Sequence, residues 1–167
     1  MRVLVTYLSA VGNTDVLAHA IFHAVIHESD KQMLPLDQAA EFEDPDIVFV
    51  GFPVHELGVP EEVAAYLRGL PDATALALFC THGSYRGGER PLRAMVDAMD
   101  MARGKIILGT FSCQGEVPAE IIDGLHGHPE QLDWLLDAKA SLGHPDADDR
   151  DAAREYARHM LVKARVL

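Results

Sequence analysis

Four near-continuous apolar runs alternate with amphipathic segments along this 167-residue chain, and this alternation limits the folds open to it. The apolar runs are residues 2–8, 46–52, 74–81 and 105–112, with a weaker run at 31–37. Strands that are apolar at nearly every position are covered on both faces, as in a parallel sheet. Apolar residues recur at helical spacing within about 13–28, 60–69 and 89–102. Strands that alternate with helices predict a doubly wound, five-stranded parallel α/β sheet between two helical layers.

The last 40 residues have no apolar run of this kind. They predict a short helix at about 130–140 and a final helix at about 148–163, whose apolar stripe could cover one face of an open sheet. No repeat and no long linker divides the chain. Residues 1–167 are therefore expected to form a single domain.

Charge and hydropathy exclude several classes of partner. The formal net charge is −12, which disfavours binding to nucleic acid or to an anionic membrane surface and leaves basic proteins open as partners. The longest apolar run, 75–80, is too short to cross a bilayer, and the first strand follows Met1 without an apolar leader. We therefore expect a soluble, cytoplasmic protein.

Glycine and small polar residues follow four of the strands. Ligands of open parallel sheets bind beyond the carboxyl ends of the strands, so these loops are the candidate site. The loops are Ser9 to Thr14, Pro53 to Gly58, Thr81 to Gly88, and Ser112 to Gly115.

The first of these loops, "SAVGNT", has the donors that an anion needs. Its hydroxyl groups, the Asn13 amide and the backbone N–H groups stand before a helix, and Gly12 allows close approach. It contains no lysine or arginine, so it is not a Walker motif, and no G-x-G-x-x-G follows the first strand. The alternative is an ordinary strand-to-helix turn capped by Asn13 or Thr14.

With these loops in view, the chain resembles the flavodoxin family over nearly its whole length. "SAVGNT" is similar to the family's phosphate loop, and "DIVFVGFPVHELGVPEEVAAYLRGL" is similar to its third strand, first flavin loop and following helix. The resemblance implies strand order 2-1-3-4-5, a monomer, and FMN bound non-covalently, with its phosphate in the first loop and its ring between the later loops. The implied cofactor-binding residues are Ser9, Ala10, Val11, Gly12, Asn13, Thr14, Pro53, Val54, His55, Glu56, Leu57, Gly58, Thr81, His82, Gly83, Ser84, Tyr85, Gly88 and Cys113.

Two positions depart from the family pattern. Val11 stands where the family usually has a hydroxyl residue, which removes one phosphate hydrogen bond at a cost of about 1–3 kcal/mol. The first flavin loop has His55 and Leu57 where flavodoxins often stack a tryptophan, and the only tryptophan, Trp134, lies in the tail. Tyr85 is therefore the expected stacking residue.

Other chemistry-bearing residues have two interpretations each. Cys80 and Cys113 lack CxxC spacing and are expected to be buried reduced thiols, although Cys113 could also be a redox thiol near the flavin. His19, His23 and His27 share one helix face and could bind a metal, but such a stripe is more often simply polar surface. No catalytic residue and no metal site is assigned.

The sequence thus predicts an FMN-binding electron carrier that serves redox proteins with basic docking surfaces. Glu56, Glu61 and Glu62 would lower the flavin potential if they lie near the ring. One alternative is a small NAD(P)H-dependent flavin or quinone reductase. Another is an accessory protein that keeps the fold and binds a partner without FMN.

Overall fold

The computed structural model describes residues 1–28, 30–55, 58–85, 87–124 and 132–167. They form a parallel sheet of five strands in the order β2-β1-β3-β4-β5, which confirms the predicted fold class and strand order. The strands are β1 (Arg2–Tyr7), β2 (Asp30–Pro35), β3 (Ile47–Pro53), β4 (Ala75–His82) and β5 (Ile106–Gln114).

Helices cover both faces of this sheet. They are α1 (Asn13–Ala24), α2 (Glu61–Gly69), α3 (Glu89–Met101), α4 (Ala119–Gly124), α5 (Leu132–Ala140) and α6 (Ala147–Ala164), with a 3₁₀ helix at Leu36–Glu41. None of the helices in the described ranges combines the length and hydropathy needed to cross a bilayer. The sequence did not predict α4 or the 3₁₀ helix, because segments of six residues are too short to show a helical period.

Two apolar cores lie on opposite faces of the sheet, and the strands feed them alternately. Val3 and Val5 join the core under α1 and α6, while Leu4 between them joins the core under α2 and α3. This alternation follows from the two-residue period of a strand, and it makes nearly every position of β3 and β4 apolar. Tyr156 of α6 anchors its helix, since its hydroxyl donates to the carbonyl of Leu78 at 2.9 Å.

The start of α6 is fixed by a capping box. The Asp149 N–H donates to the Asp146 carboxylate at 3.0 Å, and the Asp146 N–H donates to the Asp149 carboxylate at 3.1 Å. This reciprocal pair satisfies two helix-start donors. It confirms that the acidic run after Pro145 begins the last helix.

Candidate functional site

A cleft of about 1060 Å³ opens at the carboxyl edge of the sheet, where the ends of β1, β3 and β4 meet. Its volume reaches the upper end of the range typical of cofactor sites, about 300–1,000 Å³. Most of the predicted site residues line it: Ser9, Ala10, Val11, Asn13, Thr14, Pro53, Val54, His55, Gly58, Thr81, His82, Gly83 and Ser84. Parallel topology therefore brings three separate loops to one site.

The first loop leaves backbone donors open at the start of α1. Gly12 is the N-cap residue, and its φ of 94° lies in the left-handed region that glycine adopts without strain. Gly12 has no side chain with which to cap this helix, and the N–H groups of Asn13 and Thr14 have no acceptor within it. Such donors, together with the helix dipole, favour an anion.

Ser9 holds the loop in this shape. Its Oγ accepts the N–H of Gly12 at 3.2 Å and the N–H of Asp15 at 3.3 Å. An oxygen that accepts two hydrogen bonds still has its own proton to donate. The Ser9 hydroxyl can therefore offer that proton to a ligand.

The side chains of Thr14 and Asn13 bond to the protein itself. The Thr14 hydroxyl is buried and lies 2.9 Å from the Thr81 hydroxyl. Asn13 Nδ2 donates to the Glu116 carbonyl at 2.9 Å, and a Cβ on Gly115 would come within 2.7 Å of that nitrogen. These contacts fix α1 against the ends of β4 and β5, so the donors that this segment leaves open are mainly backbone N–H groups.

The loop after β3 closes on itself through His55 and Gly58. The His55 N–H donates to the Gly58 carbonyl at 3.2 Å, and the Gly58 N–H donates back to the His55 carbonyl at 2.8 Å. Both residues line the cleft. Glu56 and Leu57, which the sequence also assigned to the site, lie outside the described residues.

Four other predicted site residues, all of them described, are not among the residues that line this cleft. Gly12 lines a neighbouring cleft instead, while Tyr85, Gly88 and Cys113 line neither. The Tyr85 side chain is 66% exposed, and its backbone N–H donates to the Asp137 carboxylate at 3.0 Å. The Cys113 thiol is buried and donates to the Gln114 carbonyl at 3.2 Å, as expected of a packed reduced cysteine.

Sequence reasoning placed Gly115 in a candidate loop but missed the rest of the opposite wall of the cleft. This wall comes from the carboxyl half of the chain and consists of Gly115, Glu116, Val117, Pro118, Ile121 and Trp134, with Val59 and Arg90 nearby. Trp134 lies on α5, and the Arg90 guanidinium stands 5.7 Å from its ring centroid, at cation–π distance. The composition shows a lone tryptophan, but its spacing gives no signal that the tail returns to the sheet edge.

Arg90 is the one lysine or arginine among the described residues that line the cleft. Within the ranges that the structure describes, it has no ion-pair partner, and its contact with Trp134 leaves its N–H donors available. A positive charge at the cleft wall favours anionic ligands. The loops alone did not predict this charge, because Arg90 belongs to α3.

A second cleft of about 640 Å³ lies on the other side of the first loop and has the opposite electrostatic character. Asp15, Asp37 and Glu62 line it with Tyr7 and Tyr66. The Tyr7 hydroxyl donates to Asp15 at 2.5 Å, and burial together with this bond raises the pKa of Tyr7 to about 12. Three carboxylates disfavour an anion there, so the larger cleft is the better place for a phosphate.

Of the three histidines, His19 and His23 share one exposed face of α1, while His27 lies beyond the end of this helix at Ala24. His19 and His23 are exposed, with ring centroids 6.3 Å apart, and His19 Nε2 lies 3.8 Å from Asp15. Among the described residues, the three that come close enough to hold a metal are His144, Asp146 and Asp149. Asp146 and Asp149 form the cap of α6, and His144 Nδ1 lies 2.5 Å from Asp149. Helix capping accounts for this cluster.

Comparisons with known proteins agree with this architecture. The flavodoxin domain family matches residues 4–158. The flavodoxin-like domain-containing protein BilS of Clostridioides difficile (strain CD3) is 27% identical over 182 aligned residues, which cover 100% of both chains. An archaeal flavodoxin structure shares 16% identity and a TM-score of 0.64 over 99% of both chains.

A second solved structure gives the same result. It is a short-chain flavodoxin associated with a bacterial microcompartment, with 16% identity and a TM-score of 0.66 over 98% of this chain and 99% of that one. At such identities, the likeness establishes the fold. The family match covers residues 4–158 and therefore also supports a family assignment.

Proposed function

This chain belongs to the flavodoxin domain family, and on that premise we propose that it binds FMN and carries electrons between redox proteins in the cytoplasm. Its fold is a flavodoxin-type flavin-binding fold, and bound FMN would supply the one- and two-electron chemistry. The observation that carries the proposal is the larger cleft. Open N–H donors lie on one of its walls, and an aromatic ring lies on another.

The phosphate end of the ligand would bind at the first loop. Ser9 can donate its hydroxyl proton there, and the N–H groups of Asn13 and Thr14 can donate along the axis of α1. The carboxylate of Asp15 accepts the Tyr7 hydroxyl and lines the other cleft. The donors and the Asp15 carboxylate therefore serve different clefts.

The ring end would bind against the apolar wall. Trp134, Val117 and Ile121 line the cleft together with Pro53 and His55 from the opposite side. A flat ring can stack on the indole and pack against the aliphatic groups, which exclude water from it. Trp134 thus provides the stacking surface that the sequence assigned to Tyr85.

Two sets of charges would tune the flavin. Arg90 in the cleft favours an anionic reduced ring and raises its potential, whereas carboxylates near the ring lower it. Glu61 pairs with Arg68 at 3.0 Å, and Glu62 lines the acidic cleft. We therefore expect Arg90 to act on the potential more strongly than either glutamate.

Purification under native conditions tests the proposal directly. We expect a yellow protein with one FMN per chain, and titration of the apoprotein with FMN should show saturable binding. Under anaerobic conditions, NAD(P)H alone should leave the flavin oxidised, while NAD(P)H with a flavodoxin reductase should reduce it.

Two outcomes would contradict this proposal. Rapid reduction by NAD(P)H alone would favour the reductase function. An apoprotein that does not bind FMN at micromolar concentrations would favour the accessory function.

A further inference from the structure

One polar atom of a residue in the wall of the larger cleft has no partner among the described residues. His82 is the last residue of β4, it lines the cleft, and it is only 4% exposed. Its Nε2 is buried and makes no hydrogen bond within the part of the chain that the structure describes. Buried polar atoms nearly always have a partner, so an unpaired one beside a cleft is available to a water or to a ligand group.

The other ring nitrogen determines what Nε2 can offer. His82 Nδ1 lies 2.8 Å from the carbonyl oxygen of Ser84. A carbonyl only accepts, so Nδ1 must carry the proton that it donates. In the neutral ring, Nε2 then presents a lone pair, and it can accept a hydrogen bond but cannot donate one.

The surroundings of His82 keep the ring neutral near pH 7. Burial lowers its pKa below the ordinary value of 6.5, although the hydrogen bond to Ser84 and the charges of Asp137 and Asp149 act in the opposite direction. Two other residues that line the cleft are charged: Arg90 is positive and Glu116 is negative, so together they add no net charge near the ring. The partner of Nε2 must therefore be a donor, which excludes phosphate oxygens.

The position of His82 identifies the part of the ligand that faces it. A Cβ on the adjacent Gly83 would lie 3.5 Å from Trp134 Cζ2, so this strand end borders the aromatic wall of the cleft. The phosphate donors belong to the first loop, at the start of α1. The oxidised flavin ring has one N–H group, at its N3 position, and that group is the donor expected beside the aromatic wall.

We propose that Nε2 of His82 accepts a hydrogen bond from the ring N3–H of the bound flavin and thereby orients the ring in the cleft. This inference rests on the proposed binding of FMN. In this proposal, His82 orients the ligand. Ser84 supports it, because its carbonyl fixes the tautomer of the His82 ring.

A double-mutant cycle with a modified ligand tests the contact. The ligands are FMN and 3-methyl-FMN, which lacks the ring N–H, and the proteins are wild type and H82N. The shorter asparagine amide of this variant can still donate to the Ser84 carbonyl but has no acceptor where Nε2 stood. We expect H82N to weaken FMN about tenfold and methylation to weaken the wild type at least tenfold. Methylation should then cost H82N about tenfold less than it costs the wild type.

The variant H82Q is the matched control, because the glutamine amide can place an acceptor oxygen near the position of Nε2. Its affinity for FMN should stay within about threefold of wild type. Equal affinity of the wild type for the two ligands would overturn the proposal without any variant. An equal methylation penalty in wild type and H82N would also overturn it, and would assign the loss in H82N to the Ser84 bond or to a ribityl hydroxyl.

The dependence of FMN affinity on pH gives an independent readout. Protonated His82 has no lone pair, so the affinity of wild type should hold above pH 6.5 and fall as the pH drops toward the lowered pKa of His82. H82Q should show only the part of the decline that comes from the FMN phosphate and from other groups. Parallel profiles for the two proteins would overturn the proposal, whereas a wild type without FMN binding would overturn the proposed function as well.

Discussion

The two walls of the larger cleft offer a ligand different chemistry. The wall at the start of α1 is polar and fixed by hydrogen bonds from Thr14 to Thr81 and from Asn13 to Glu116. The opposite wall, with Trp134 and Ile121, is largely apolar, although backbone hydrogen bonds also hold it, and its indole ring has a cation–π contact with Arg90. Directional donors suit a phosphate, whose binding depends on geometry, while an apolar wall suits a ring that binds through contact area.

The largest expected effect comes from a charge at Gly12, the N-cap residue of α1, which adjoins the polar wall and itself lines the smaller cleft. The variant G12D would place a carboxylate beside the phosphate donors, at a residue whose φ of 94° also strains any side chain. An added Cβ at this position meets no atom within 4 Å, so the protein itself has space for it. We expect FMN affinity, measured by fluorescence titration of the apoprotein, to fall about 1,000-fold, or about 4 kcal/mol.

The variant G12N separates charge from strain, because asparagine has the same shape without the negative charge. We expect it to lose only about tenfold in affinity. Equal losses in G12D and G12N would mean that strain alone matters. If G12D bound FMN with wild-type affinity, the phosphate would have to bind away from the first loop.

The next effect tests the apolar wall through its aromatic residue. Replacement of Trp134 by alanine should weaken FMN by about 1–3 kcal/mol, the range of aromatic stacking on flat rings. Tyr85 is the matched control, since it is 66% exposed and does not line the cleft. The variant Y85A should bind FMN as the wild type does, and the flavin absorption spectrum should shift in W134A alone.

The opposite result for these two variants would support the prediction from the sequence that Tyr85 stacks on the flavin. A weakened Y85A with an unchanged W134A would show that the loop after β4 closes over the flavin when it binds. The pair of variants therefore decides which wall supplies the ring contact.

The difference between the walls also explains what the sequence could predict. Apolar runs mark the buried strands within one or two residues, and the ends of parallel strands must meet at one edge, so 13 of the predicted site residues line the cleft. The wall around Val117 and Trp134 depends on how the tail packs against the sheet. Periodicity describes the face of a helix but not its partner, so this wall was not predictable.

Thr14 shows, at a single side chain, that the sequence does not reveal which distant residue a side chain contacts. The motif indicated a hydroxyl for the phosphate, but the structure pairs that hydroxyl with Thr81, 67 residues further along the chain. A contact between residues so distant in sequence depends on how α1 packs against the end of β4, which no local pattern specifies.

Replacement of Thr14 by valine should accordingly affect stability more than binding. It leaves the buried Thr81 hydroxyl without its partner, which should lower the free energy of unfolding by about 1–2 kcal/mol in urea titrations of the apoprotein. FMN affinity should change by less than about threefold, because the N–H of residue 14 is kept. A stable T14V that binds FMN poorly would show that the hydroxyl turns toward the ligand.

The smallest expected effect concerns the docking of a redox partner. We expect the partner to dock where the acidic cleft adjoins the first loop. Glu62 lines that cleft, while the charge of Glu61 is partly offset by Arg68 at 3.0 Å, so Glu62 should steer a basic partner more strongly. The Debye length falls from about 30 Å at 0.01 M to about 10 Å at 0.1 M ionic strength. Electron transfer to a basic cytochrome, followed by stopped flow, should therefore slow across this interval.

At low salt, we expect E62Q to lower that rate about threefold, E61Q less, and the double variant to flatten the salt dependence without weakening FMN. The variant E155Q removes an equal charge from the exposed face of α6, which packs against β5 and α1 away from the acidic cleft, so it should leave the rate nearly unchanged. If all three single variants slow the reaction equally, the net charge of −12 acts as a whole and the cleft has no special role. A rate that does not depend on salt would instead indicate docking through apolar contact. Ile121, which is 49% exposed on the apolar wall of the larger cleft, would then be the first residue to substitute.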